Sequence, residues 1–240
     1  MAVSVVLAAY NGEKYLSQQI DSIVSQFEEG DELIISLDPS TDQSQKMITS
    51  FCKEDGRIRL VNGPGKGLIS NFENGLKYVR NDYVFLSDQD DVWMKDKIRK
   101  VVASFDYDTM IVMHDAIITD GNLQSTGKSI YQVRNVRTGI WKNMIQNSYR
   151  GCCMAFRKEL LDVVLPFPQK LPMHDQLIGI TGELMGKVKL IDDQLILYRR
   201  HEDNASEMKH AGVMTMLKWR LQIIKAYFLI RQRIKNRKDK

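Results

Sequence analysis

Asp88, Asp90 and Asp91 place three carboxylates within four residues, directly behind an apolar run at 83–86. Crowded carboxylates repel one another unless a positive charge sits among them. A divalent cation meets that need, because hard ions such as Mg2+ or Mn2+ prefer carboxylate oxygens and keep positions open for substrate phosphates. A solvated acidic turn accounts for the same residues equally well. The segment Ser87-Asp88-Gln89-Asp90-Asp91-Val92-Trp93 is therefore decided by what surrounds it.

Other residues offer chemistry at a distance in sequence. Asp38 closes an apolar run at 33–37, where its carboxylate could accept a hydrogen bond from a nucleobase imide. The string Asp38-Pro39-Ser40-Thr41-Asp42 equally suits a turn and a cap for a helix starting at Gln43. Asn62-Gly63-Pro64-Gly65-Lys66-Gly67 carries three glycines and one lysine, so it could touch phosphate, yet without Walker spacing a mobile turn is its default reading. Asp175, after His174, opens a helical segment and is either a partner of the helix dipole or a general base. His201, behind Tyr198-Arg199-Arg200, is either a surface histidine or a late metal or phosphate ligand.

The elements that must position these residues alternate in character. Apolar runs at 2–8, 33–37, 58–61 and 83–86 read as buried strands, and the segments 14–27, 43–52 and 69–79 have helical spacing. This succession predicts an α/β fold with a parallel sheet covered by helices on both faces. In such sheets ligands bind beyond the carboxyl ends of the strands. Ala9-Tyr10-Asn11-Gly12, the Asp38 turn, the glycine loop and the acidic cluster all fall there. After about 106 the rhythm loosens: strands at 110–114 and 116–119, a polar loop at 125–138, a strand at 151–156, a helix at 174–185 and strand material at 188–197. This second half reads as an acceptor-side subregion built onto the first.

The chain has 240 residues, 43% of them hydrophobic, enough for one large α/β domain. Its three cysteines, Cys52, Cys152 and Cys153, have no framework spacing and read as buried apolar residues in a reducing compartment. The start, Met1-Ala2-Val3-Ser4-Val5, has no basic region before its apolar run, which argues against a signal peptide, and no stretch approaches the roughly 18 apolar residues of a spanning helix. A cytoplasmic location is expected. The net charge of +4 is unevenly spread, for residues 218–240 hold nine Lys or Arg against Asp239. From 213 to 240 the pattern is an amphipathic basic helix, with Leu217, Leu221, Ile224 and Phe228 on one stripe. Anionic membrane, nucleic acid and plain core packing compete for it; no nucleic-acid reading motif accompanies the charge.

The opening Ser4-Val5-Val6-Leu7-Ala8-Ala9-Tyr10-Asn11-Gly12, the Ser40-Thr41-Asp42 triplet and the acidic cluster together resemble the inverting glycosyltransferases of family 2 over roughly residues 2–205. The acidic cluster, Gly151-Cys152, His174-Asp175 and Tyr198-Arg199-Arg200-His201 look like the rhamnosyltransferase-like members that build bacterial surface polysaccharides. The resemblance implies a GT-A, Rossmann-like α/β/α sandwich with a mostly parallel central sheet at 1–205. Its nucleotide-sugar-binding half would be about 1–106 and its acceptor-binding half about 107–205, and 206–240 would form the helical extension.

It further implies that Ala9, Tyr10, Asp38, Lys66, Asp88 and Asp90 bind the donor nucleotide. Asp90, Asp91 and His201 would hold Mn2+ or Mg2+, with Asp91 the leading ligand. Asp175 would be the catalytic base, and Trp93, Gly151, Cys152 and His174 would face the acceptor. Gln176-Leu177 stands where these relatives carry tryptophans, so a different acceptor pocket is expected. The function so implied is sugar transfer, with rhamnose a candidate, from a nucleoside diphosphate sugar to a lipid-linked glycan. An undecaprenyl-diphosphate carrier at the inner membrane face is the expected acceptor, with the basic tail as docking device. Two alternatives stand beside it: a non-catalytic nucleotide-sugar-binding partner subunit, and a nucleotidyltransferase.

Overall fold

The computed structural model describes residues 1–201 and 212–239. The expected boundary at 205, and residues 206–211 and 240 of the tail, lie outside the described residues.

Strands β1 (Val3–Ala9) and β2 (Glu32–Leu37) are buried along their whole length, as expected of strands covered on both faces. With β3 (Ile58–Asn62) and β4 (Tyr83–Asp88) they form a parallel half-sheet in the order β3-β2-β1-β4. Val5 lies between Leu33 and Phe85 in register. The crossovers are α1 (Leu16–Val24), α2 (Ser44–Glu54) and α3 (Leu68–Leu76). Chain order reverses between β1 and β4. The loops leaving these two strands therefore part company and open a crevice at the carboxyl edge. Ala9-Tyr10 and the acidic cluster sit on its two lips.

Beyond β4 the sheet is mixed. After β5 (Val92–Trp93) and α4 (Lys97–Ala103), the long β6 (Thr109–Thr119) is followed by β7 (Ser125–Ser129), α5 (Ile130–Arg134), α6 (Ile140–Ile145), β8 (Met154–Arg157) and α7 (Leu161–Val164). Then come α8 (His174–Met185), β9 (Lys187–Arg199) and α9 (Val213–Lys238). Strand β8 runs antiparallel between β4 and β6, while β9 lies parallel to β6 and antiparallel to β5. One sheet thus continues through both halves of the chain.

Three expectations change in this half. The runs 110–114 and 116–119 are one strand, whose register shifts at His114/Asp115; Asp115 there accepts from the backbone of Ala116 and Tyr131, and this bulge reads in sequence as a break. The polar 125–138 segment contains β7 and α5. A capping box between Ser129 and Gln132 starts α5, a signal hidden by the polar composition. Residues 151–156 begin with a tight turn, Gly151–Cys153, before β8.

Helix α9 has apolar residues on two faces. Ile223, Ala226, Tyr227 and Ile230 are buried, and the helix packs on α6, α7 and α8. Leu217, Leu221, Ile224 and Phe228, the stripe singled out by spacing, are each more than a third exposed. Arg233 is partly buried and donates to the carbonyls of Val163 and Val164, capping α7.

Candidate active site

The β1–β4 crevice holds a cavity of about 520 Å3, within the size range of small-molecule sites. Its walls come from every loop of the carboxyl edge: Ala8, Ala9 and Tyr10, then Asp38 and Pro39, then Gly65, Gly67, Leu68 and Asn71, then Asp88, Gln89 and Asp90, with Tyr198 from β9. Side-chain amides bind these loops together. Gln89 donates to the Tyr10 carbonyl at 3.0 Å and accepts from the Tyr10 N–H at 2.8 Å, clasping one lip to the other. A Cβ at Gly12 would come within 2.4 Å of Gln89 Oε1, so the clasp requires glycine there. Asn71 donates to the Ala9 carbonyl at 3.0 Å, and Asp38 Oδ1 accepts from the Gly65 N–H at 2.8 Å, holding the glycine loop closed. Asp42 braces the turn before α2, whose N-cap is Gln43: its carboxylate accepts from the N–H groups of Ser44 and Glu13, which outweigh partial burial and lower its pKa.

The acidic cluster is held from behind. Buried Gln19 donates to Ser87 Oγ at 2.6 Å and to the Asp88 carbonyl at 3.0 Å. Arg199, at the end of β9, donates through Nε to the Asp90 carbonyl at 2.7 Å, and its N–H reaches Asp91 Oδ1 at 3.1 Å. The same strand end brings His201 Nε2 within 2.9 Å of Asp90 Oδ2. Burial, with Asp90 and Asp175 nearby, pushes the Asp88 carboxyl up to about 7. Burial beside Asp90 and Asp88 raises Asp91 well above the ordinary carboxylate range.

Such crowding is costly without a cation, and two groupings could hold one. Asp90 and His201 stand together where Asp88 and Asp90 open on the cavity. Beneath them Asp88, Asp91 and Cys152 offer ligand atoms within 4.8 Å of one another, and Asp91 Oδ2 has no hydrogen-bond partner among the described residues. The Cys152 thiol is held well above its ordinary pKa by its hydrogen bond with Cys153 and by burial, which suits a protonated neighbour better than a ligand of a hard ion. The donor set facing the cavity therefore fits Mn2+ or Mg2+. Asp91, expected as the leading ligand, is only 1% exposed and lies one layer behind that opening.

On the far side of Asp88, the turn Gly151–Cys153 meets the start of α8. A Cβ on Gly151 would sit 3.2 Å from His174 Nε2 and 3.8 Å from Asp175 Cβ, so the missing side chain leaves room at Asp175. Asp175 Oδ1 accepts from Asn147 Nδ2 at 3.0 Å and from the Gln176 N–H at 2.6 Å. Its Oδ2 makes no hydrogen bond among the described residues. One oxygen is thus fixed and the other is left to take a proton.

The structure sorts the expected site residues. Ala9, Tyr10, Asp38, Asp88 and Asp90 share the cavity wall, whereas Lys66 is exposed between two wall glycines and is not itself part of the wall. Trp93, expected at the acceptor, is interior: its ring lies 5.6 Å from Phe85 and 3.7 Å from the buried Lys97 ammonium. Lys97 in turn donates to the Cys152 carbonyl at 2.9 Å, and burial pulls its pKa down to about 8. Cys152 and His174 are 3% exposed, and His174 is stacked on Phe72 and held neutral by burial. These three aromatic and sulfur residues form the floor under the cluster, and Gly151 is the gap beside it. Sequence reasoning missed the Gln89 clasp, Asn147 and Lys97. Gln89 was visible inside the acidic run, whereas nothing local marks Asn147.

A parallel half-sheet whose switch-point cavity is edged by an acidic cluster, extended by a mixed second half, defines the GT-A class of fold. Residues 4–165 match glycosyl transferase family 2, and the chain belongs to that family. An uncharacterized glycosyltransferase of Nostoc sp. is 29% identical over 213 residues, covering 85% of this chain and 66% of the relative. The dTDP-rhamnosyl transferase RfbG of Shigella flexneri is 26% identical over 220 residues, covering 82% and 72%. Among solved structures, the mannosyltransferase PcManGT from Pyrobaculum calidifontis, in complex with GDP-Man and Mn2+, shares the fold with a TM-score of 0.63 at 15% identity, over 84% of this chain and 57% of that one. The chain spans about two thirds of the length of the curated relatives it matches. No helix among the described residues is long and apolar enough to cross a membrane.

Proposed function

We propose that this chain transfers a sugar from a nucleoside diphosphate donor to a hydroxyl of a glycan, with inversion at the anomeric carbon. The observation that carries this reading is Asp175, one oxygen pinned by Asn147 and Gln176 and the other unengaged among the described residues, next to an acidic cluster that opens on a nucleotide-sized cavity. The base and ribose would lie between Asp38, Tyr10 and Asp88, and the diphosphate would reach Asp90 and His201. A Mn2+ or Mg2+ ion held by that pair would stabilise the charge gathering on the departing diphosphate. Asp175 takes the acceptor proton as the hydroxyl attacks from the opposite face, and a single displacement of this kind inverts the centre. The mannosyltransferase neighbour carries GDP-Man and Mn2+ on the same fold, and RfbG supports rhamnose as a candidate sugar. The test is transfer itself: donor, Mn2+ and a panel of glycan acceptors should release a nucleoside diphosphate. Release of pyrophosphate would point to nucleotidyl transfer, and binding without release to a donor-holding partner subunit.

A lipid-linked acceptor at an anionic membrane belongs to the same reading. The exposed stripe Leu217, Leu221, Ile224 and Phe228 adjoins Trp141 and Ile145 of α6, which are 68% and 64% exposed. Arg220 bridges the two helices through the Ile145 carbonyl, and exposed Lys218, Lys225 and Arg231 flank the stripe. Apolar residues rimmed by cations match a surface of anionic headgroups over acyl chains. Replacing Leu221 and Phe228 by Ser should lower binding to phosphatidylglycerol vesicles, measured by co-sedimentation, without lowering Tm. Unchanged vesicle binding would remove the membrane from this account.

A further inference from the structure

One charged group beneath the site is placed at a cost that packing does not explain. Lys97 is 0% exposed, the only buried lysine among the described residues. Burying an ammonium is expensive, and a methionine would fill the same slot without that cost. Its place at the start of α4 adds to the expense, because the amino end of a helix disfavours cations. Asp96 before it holds a left-handed backbone at φ 65°, which is uncommon outside glycine. Three local preferences are overridden around one residue, and such conflicts gather at functional sites.

What the ammonium touches gives the reason. Lys97 Nζ donates to the Cys152 carbonyl at 2.9 Å and stands 3.7 Å from the centre of the Trp93 ring. Cys152 is the middle of the turn Gly151–Cys153, which lies between the two halves of the chemistry. On one side its thiol comes within 4.8 Å of ligand oxygens of Asp88 and Asp91. On the other, a Cβ on Gly151 would sit 3.8 Å from Asp175 Cβ. Trp93 is the second anchor. It pairs with Ile196 of β9, the strand whose end supplies Arg199, and the Met94 N–H donates to the Leu195 carbonyl at 2.9 Å. One cation thus joins the turn beside Asp175 to the strand pair that follows Asp90 and Asp91, through a charge-assisted bond stronger than a neutral donor would give. We propose that Lys97 is a positioning residue for the transfer: through the Cys152 carbonyl and the Trp93 ring it sets the spacing between the diphosphate end of the donor site and Asp175. This rests on the transferase reading above.

Misplacing reacting groups by about 1 Å costs on the order of 100-fold in rate and leaves ground-state binding in place. Lys97→Met should therefore lower kcat by about 10- to 100-fold, while the donor KM and the Mn2+-dependent affinity for nucleoside diphosphate stay within about threefold. Turnover is read as nucleoside diphosphate release from dTDP-rhamnose, GDP-mannose and UDP-GlcNAc with Mn2+. Water is the first acceptor, since hydrolysis uses the same base and donor geometry, and the glycan panel follows. Lys97→Arg keeps a charged donor for the carbonyl and should regain at least about fivefold over Lys97→Met. Lys100→Met, which loses only an exposed pair with Asp193 from the same helix, should match wild type. Trp93→Phe serves if Lys97→Met does not fold, and should show a smaller fall in kcat at an unchanged donor KM. The proposal is overturned if folded Lys97→Met, or Trp93→Phe in its stead, keeps full turnover, or if Lys97→Arg does no better than Lys97→Met. It is equally overturned if nucleotide affinity falls by the same factor as kcat, since Lys97 would then serve the donor half alone. No release by wild-type protein from any nucleoside diphosphate sugar would instead remove the transferase reading, and this proposal with it.

Discussion

Asp175→Asn should lower sugar transfer by about 100- to 10,000-fold while donor affinity stays within about twofold, the range set by removing one positioned base. Asparagine keeps the shape of the side chain, and its carbonyl oxygen can still accept from Asn147 and from the Gln176 N–H, the two bonds that orient Oδ1. What it loses is the capacity of the second oxygen to take a proton. The effect should therefore fall on kcat, with little change in the KM of the donor, because no part of the donor cavity is built from this residue. Buried Asp175 also adds negative field at Asp88. Its loss should therefore lower the Asp88 pKa, and a folded Asp175→Asn protein with full turnover would remove Asp175 from the chemistry.

Asp90→Asn is expected to act on the other half of the reaction. Asp90 opens on the cavity, pairs with His201 at 2.9 Å and has its backbone fixed by Arg199, so the substitution changes charge more than position. Nucleoside diphosphate binding in the presence of Mn2+ should weaken by at least about 10- to 100-fold, the cost known even for outer partners of metal ligands. A chelator should bring wild-type protein to the same level and change the variant little. Tight nucleotide binding that ignores both the chelator and the substitution would show that Asp90 and His201 do not serve a cation. Asp91→Asn offers a contrast, since Asp91 is interior and anchors the β9 end through the Arg199 N–H.

What could be read from sequence was set by local pattern. The four-strand half-sheet and the loops at its carboxyl edge follow from apolar runs at regular intervals, and Asp38, Asp88 and Asp90 were found because strand ends are local features. Which of Asp90 and Asp91 faces the cavity was not legible. Neighbouring residues at a strand end point in different directions, and the choice is made by Arg199, over a hundred positions away. The same holds for Trp93, Cys152 and His174, whose place in a motif reflects the floor they build around Lys97 and Phe72 and not contact with the acceptor. Helix α9 shows a second limit. It carries two apolar stripes, and spacing alone cannot say which one finds α8. Asn147 comes from a loop with no periodicity, and only the packed chain brings it to Asp175.

The central claim, single displacement at a sugar held between the Asp90–His201 pair and Asp175, is tested most directly by proton NMR of the anomeric centre during turnover. With Mn2+, a nucleoside diphosphate sugar and an accepted glycan, the transferred sugar should show the anomeric configuration opposite to that of the donor, in step with nucleoside diphosphate release. Retention of the donor's configuration in the product would contradict it.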